Sequence, residues 1–134
     1  VANFAEAERE MRGMPKLEIE NVGTFDVEPE KRLVLAIEED AGVDIMHACG
    51  SWAKCTTCRV EFIEGEPEDM TEAEQMILTM RDLLEKERLS CQILCDDDMK
   101  LRVSMTVSGT KANDPGAKPE EDITPEPIWV ERPY

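Results

Sequence analysis

Apolar and polar positions divide the chain into short alternating stretches and short helical ones. Lys16-Leu-Glu-Ile-Glu20 alternates charged and apolar residues, and Thr24-Phe-Asp-Val27 resumes the alternation after Asn21-Val-Gly23. Successive strand side chains point to opposite faces, so this period of two predicts a half-buried hairpin. Leu33, Ala36, Ile37 and Ala41 then keep helical spacing, with Pro29 suited to a first turn and Gly42 to a stop. This predicts a helix over 30–41 packed on the hairpin. Between Val43 and Thr57 no period is sustained, which predicts a loop. Arg59-Val-Glu-Phe-Ile63 reads as a third strand, closed by Glu64-Gly-Glu-Pro67. Thr71-Glu-Ala-Glu74 has the form of a capping box ahead of Met76, Ile77 and Met80, predicting a helix over 72–80 with a looser continuation through Leu83-Leu84. From Met99 to Val107, Leu101, Val103, Met105 and Val107 alternate with Lys100, Arg102, Ser104 and Thr106, the clearest strand in the sequence.

The two ends differ from this middle. Asn3 and Glu6 offer an N-cap with Phe4, Ala7 and Met11 on one face, so 1–14 is expected to be an extension with a short helix that Gly13 and Pro15 end. Beyond Lys111 lie five of the eight prolines (Pro115, Pro119, Pro125, Pro127 and Pro133) and few periodic apolar positions, which marks 111–134 as a tail or wrapping arm. A chain of 134 residues accommodates one domain with a real core, here expected over 15–110.

Charge narrows the partners. A formal net charge of -16 repels nucleic acid and anionic membrane surfaces and favours a basic protein partner, although acidity also serves plain solubility. The longest apolar run, Leu33-Val-Leu-Ala-Ile37, is far short of the roughly 20 residues of a membrane span. The N-terminal residues are acidic where a signal peptide would be basic, so a soluble, cytoplasmic protein without a membrane span is expected.

The candidate chemistry lies in the cysteines. Cys49, Cys55 and Cys58 have the spacing C-x5-C-x2-C, and Cys91 follows within Arg88-Leu-Ser-Cys-Gln92. Five cysteines confined to 49–95 leave both ends unstapled, which argues against a disulfide scaffold and for metal ligands in a reducing compartment. Four thiolates, three from one tight loop and one from a distant segment, suit an iron-sulfur cluster. Gly50, Ser51, Ala53, Thr56 and Thr57 are small, which lets main-chain N–H groups approach an anionic centre. A four-cysteine zinc site remains an alternative, although zinc sites usually use two closely spaced pairs and have no need of Cys49. A redox dithiol at Cys55 and Cys58 lacks the strand leading in and the helix following. A Rieske centre needs two histidines, and the chain has only His47.

The order strand, strand, helix, loop, strand, helix, strand, together with Ala48-Cys-Gly-Ser51, Cys55-Thr-Thr-Cys-Arg-Val60, Met70-Thr71 with Glu74, and Leu89-Ser-Cys-Gln92, resembles the [2Fe-2S] ferredoxins over about residues 16–108. The first gap is closer to the adrenodoxin-like and bacterial branch than to the plant branch, in which it is one residue shorter. The resemblance implies an α+β, β-grasp fold: a mixed sheet, one main packed helix and a cluster-binding loop. It also implies a soluble, monomeric one-electron carrier with no substrate of its own, whose [2Fe-2S] cluster is held by Cys49, Cys55, Cys58 and Cys91. Cys49 and Cys55 would share one iron and Cys58 and Cys91 the other. A permanent subunit of a larger redox complex is the alternative.

Reduction adds negative charge to an anion in an acidic protein, which predicts a low potential. The resemblance further implies that a basic ferredoxin reductase and a downstream redox enzyme dock near Glu68, Asp69, Glu72 and Glu74, the alternative being a solvated helix face with favourable acids in its first turn. His47 could tune the cluster or only hydrogen-bond the domain's own backbone. Cys95 is expected to be a partly buried thiol or, less in keeping with its neighbours, a replacement for Cys91. Trp52 could shield the cluster or serve as an ordinary loop aromatic. Trp129 and Tyr134 are the terminal-arm candidates for contact within a larger complex.

Overall fold

The computed structural model describes residues 14–48, 53, 56–109 and 114–134. The expected N-terminal helix, Trp52, Cys49 and Cys55 lie outside the described residues. Strand β1 (Lys16–Ile19) pairs antiparallel with β2 (Gly23–Asp26) as the alternation requires, Leu17 facing Phe25 across the ladder. The remaining strands of the main sheet are β4 (Arg59–Glu64), β6 (Arg88–Leu89) and β8 (Met99–Val103). Their order is β2-β1-β8-β4-β6, with β1 and β8 parallel and the other neighbours antiparallel. This is the expected mixed sheet, and β8 is its centre.

Strand β8 stops at Val103, short of the predicted Val107. Its partner β4 begins at Arg59, so the ladder runs out where the chain leaves the cysteine loop, and Ser104 N–H to the Arg59 carbonyl at 3.2 Å closes it. Further on, residues 105–107 bond the segment ahead of the loop: Met46 N–H reaches the Met105 carbonyl and Ile45 bridges Thr106.

The first helix is shorter than predicted. Lys31–Arg32 form β3, paired with β7 (Leu94–Cys95), and only then does the chain enter α1 (Leu33–Leu35) and a π-helical turn (Ala36–Asp40). Long-range pairing thus removes the predicted first turn. Gly42, at φ +68°, ends the element in the left-handed region that favours glycine. Leu33 to Ile37 are all buried, including Val34 and Leu35, which the helical spacing placed off the core face. They join Leu17, Ile19, Ile45, Val60, Leu89 and Leu101 in one core.

Helix α2 (Glu72–Met80) has its predicted bounds, and the Thr71 hydroxyl caps it by accepting from Glu74 N–H at 3.1 Å. Ahead of it, β5 (Asp69–Thr71) pairs antiparallel with β9 (Trp129–Glu131) from the C-terminal arm. The arm therefore contributes a strand to the fold. No helix among the described residues is long and apolar enough to cross a membrane.

Candidate metal centre

Two of the four expected ligands, Cys58 and Cys91, lie among the described residues, and both are buried. Register brings their backbones together: β4 and β6 pair Arg59 with Leu89, each adjacent to one ligand segment. The Cys58 carbonyl then accepts from Ser90 twice, from its N–H at 3.1 Å and its hydroxyl at 2.7 Å. Ser90–Gln92 form a single 3₁₀ turn, which turns the chain out of the sheet at Cys91. Ahead of the cysteine loop, Ala48 N–H bonds the Thr57 hydroxyl at 2.9 Å, so Thr57 ties one side of the loop to the other.

The segment carrying Cys91 is fixed from α2. The Thr71 hydroxyl donates to Gln92 Oε1 at 2.7 Å, and this turns the Gln92 amide so that Nε2 faces both the Thr124 carbonyl, at 2.9 Å, and Cys91 Sγ, at 3.5 Å. Glu74 does not reach back to the Thr71 amide as a full capping box would. Its carboxylate instead accepts from Arg88 Nε and from the Leu89 amide, both at 2.8 Å, and from Arg88 Nη2 at 3.0 Å. The expectation that Glu74 forms part of a docking surface is thereby corrected, because the side chain is wholly buried against Arg88. Burial pushes its carboxyl up against the pull of Arg88 and Leu89. Glu66 likewise turns inward, taking bonds from Arg88, from Arg132 at 2.9 Å and from the Tyr134 hydroxyl at 2.6 Å. Glu68, Asp69 and Glu72 remain exposed.

Arg32 is the residue whose role the sequence did not disclose. Its guanidinium is fully buried; Nε donates to the Cys91 carbonyl at 2.7 Å, Nη1 to the Glu120 carbonyl at 3.0 Å, and Nη2 to the Thr124 hydroxyl at 3.4 Å. Burial lowers its proton affinity, while negative charge on the nearby Cys91 and Cys58 sulfurs acts in the opposite direction. One available signal was an arginine continuous with the apolar run 33–37, a position where a surface charge would be out of place. Gln92 was visible only as part of the motif.

His47 is buried with Nε2 3.2 Å from Glu38 Oε1, so its ring partner is a carboxylate and not the backbone. Its main-chain N–H donates to the Pro115 carbonyl at 2.7 Å. Cys95 sits on β7, 1% exposed, which corrects its expected partial burial. Burial first, then Asp96 and Asp40, push its thiol up to about 12.

These features fit an anionic, sulfur-ligated group. Buried sulfurs lie on adjoining backbones, an amide N–H is directed at one of them, and a buried cation lies beside both.

The family model described as the 2Fe-2S iron-sulfur cluster binding domain matches residues 18–96. One component of the Na(+)-translocating NADH-quinone reductase of Methylococcus capsulatus is 33% identical over 88 residues, covering 66% of this chain. The chain spans only 21% of that component's length. The 2Fe-2S ferredoxin-5 of Aquifex aeolicus is 34% identical over 86 residues, covering 59% of this chain and 85% of the ferredoxin. Among solved structures, the ISC-like [2Fe-2S] ferredoxin FdxB of Pseudomonas putida superposes with a TM-score of 0.52 at 24% identity, covering 68% of this chain and 93% of that one. That likeness concerns the fold, and it accords with the α+β, β-grasp expectation.

Proposed function

The chain belongs to the 2Fe-2S iron-sulfur cluster binding domain family, and on that premise we propose that Cys49, Cys55, Cys58 and Cys91 hold its [2Fe-2S] cluster in a one-electron carrier. The observation that carries the ligand assignment is the joining of Cys58 to the Cys91 turn through Ser90, with Gln92 Nε2 directed at Cys91 Sγ. Cys95 lacks that setting, since its charged neighbours are Asp96, Asp40 and Lys31.

The cluster, when bound, supplies reversible uptake of one electron. The chain's own residues hold, orient and insulate it. Cys58 and Cys91 are presented by a sheet edge and a 3₁₀ turn, Gln92 offers an N–H to sulfur, and Thr71, Glu74 and Arg88 fix the turn. Residues 15–110 form the cluster domain, 1–14 an extension, and 111–134 an arm laid against the domain. The protein works as a monomer that accepts an electron from a basic reductase and passes it to a redox enzyme, docking through Glu68, Asp69 and Glu72. Long-range attraction to these exposed acids speeds encounter while leaving the complex weak enough to release.

A second reading, an electron-transfer unit within a larger complex, is favoured by the relatives of which the chain spans only about a fifth. Size measurement in native extract distinguishes the two.

Anaerobic purification tests the cluster itself. Equal iron and acid-labile sulfide, visible colour that bleaches on reduction and an EPR signal after one-electron reduction are expected. Zinc without sulfide would overturn the reading.

A further inference from the structure

We propose that Arg32 sets the reduction potential of the cluster, its buried guanidinium acting as a fixed positive charge against the main chain of Cys91. This rests on the ligand assignment proposed above. Among the described residues most cations, like most acids, are exposed or partly exposed, where solvent and salt weaken their effect on a buried centre. Arg32 is in the interior, 0% exposed, where the same charge acts through a medium of much lower dielectric.

The placement is fixed from three directions. Lys31 and Arg32 pair with β7, which sets the backbone, and α1 starts at the next residue. The Cys91 carbonyl orients Nε at 2.7 Å, and the arm supplies the Glu120 carbonyl and the Thr124 hydroxyl to the other two nitrogens. The planar fork of arginine suits several acceptors spread in this way. Glu120 partly offsets that charge, as it adds a favourable electrostatic contact.

The expected direction follows from charge. Reduction delivers one electron to an already anionic centre, with no bond made or broken in the protein and no proton required. A nearby cation stabilises the reduced form more than the oxidised one, so Arg32 raises the potential above the value that the acidic chain alone would give. Thr124 is a shared anchor, because its hydroxyl accepts from Arg32 and its carbonyl from Gln92 Nε2, the amide that also faces Cys91 Sγ. The arm therefore orients two of the groups that approach this ligand.

Spectroelectrochemical titration of the full-length, cluster-loaded protein tests the assignment, with iron, sulfide and EPR measured on the same samples. Arg32→Gln, which keeps hydrogen-bond donors but not the charge, should make reduction at least about tenfold less favourable, a negative shift of about 59 mV for one electron. Arg32→Lys should recover at least half of that shift. An unchanged potential in Arg32→Gln, or equal shifts in both variants, overturns the proposal. Should Arg32→Gln load no cluster, Arg32→Lys decides. Loading with a near-native potential supports a requirement for charge, whereas failure to load or a full tenfold shift assigns Arg32 to the scaffold and overturns the proposal. Wild-type protein without iron and sulfide would refute the ligand assignment instead, so the two failures are distinguishable.

Discussion

Glu74 and Arg88 meet in the interior as a two-point ion pair, Nε to Oε2 at 2.8 Å and Nη2 to Oε1 at 3.0 Å, with side chains 0% and 2% exposed. The pair joins the first turn of α2 to the strand that leads into Cys91, and Glu74 also accepts the Leu89 amide. Removing one member of a buried pair strands the other charge, and Arg88 would keep only Glu66, at 3.4 Å, as a carboxylate partner. Glu74→Ala should therefore lose about 3–5 kcal/mol of stability, read as a lower urea midpoint. Loss of colour should accompany the early part of that transition, because the same contact positions the ligand turn.

Cysteine replacement separates ligands from the remaining thiol. Cys49→Ser, Cys55→Ser, Cys58→Ser and Cys91→Ser should each abolish or badly disturb the visible and EPR spectra, while Cys95→Ser should retain them. A colourless Cys95 variant beside a normally coloured Cys91 variant would move the fourth ligand to Cys95.

Docking is tested by charge reversal restricted to the exposed acids. Glu68→Lys, Asp69→Lys and Glu72→Lys together should slow reduction by a basic reductase about tenfold or more at low salt and flatten the salt dependence. Stopped-flow rates at several ionic strengths provide the measure. Rates that do not depend on salt in the wild type would remove the docking surface.

Gly116 lies where the arm crosses the segment before the cysteine loop. A Cβ there would stand 2.5 Å from the His47 carbonyl oxygen, and its φ of +111° disfavours any other residue. Gly116→Ala should cost about 1–3 kcal/mol. Thermal unfolding monitored by circular dichroism would show the loss, and iron content after expression would show whether the loop still accepts its cluster.

Cys95 predicts a pH effect with a definite sign. Its folded-state value of about 12 exceeds the ordinary 9.0, so the thiol stabilises the fold fully below about 9 and that contribution fades as pH rises towards 12. The stability advantage of wild type over Cys95→Ala should therefore narrow between about pH 7 and about pH 10. A constant difference in urea midpoints would show that burial does not shift this thiol.

What the sequence carries best is local in origin. The alternation at 16–20 and 24–27, the Thr71 cap, the stop at Gly42 and the bounds of α2 all follow from interactions within a few residues, and the structure has each of them. The spacing of Cys49, Cys55 and Cys58 is local too, and Cys91 is marked by its immediate neighbours, which is why the nature of the site could be expected before any fold was known.

Tertiary structure decided the remainder, because those features depend on partners far along the chain. The two-residue strand β3 has too little sequence of its own to signal a strand and exists because β7 lies beside it, which also takes the first turn from α1. Strand β9 stands in a proline-rich arm and forms against β5. The acidic pattern at 64–74 could not reveal which carboxylates face solvent: Glu66 and Glu74 turn inward because Arg88 is buried beside them. Arg32 reaches the site through acceptors at Cys91, Glu120 and Thr124, which only the folded chain brings together. Periodicity and spacing thus determined which elements and ligands to look for, whereas the placement of buried charge was settled by long-range packing, where each desolvated ion must find its compensation.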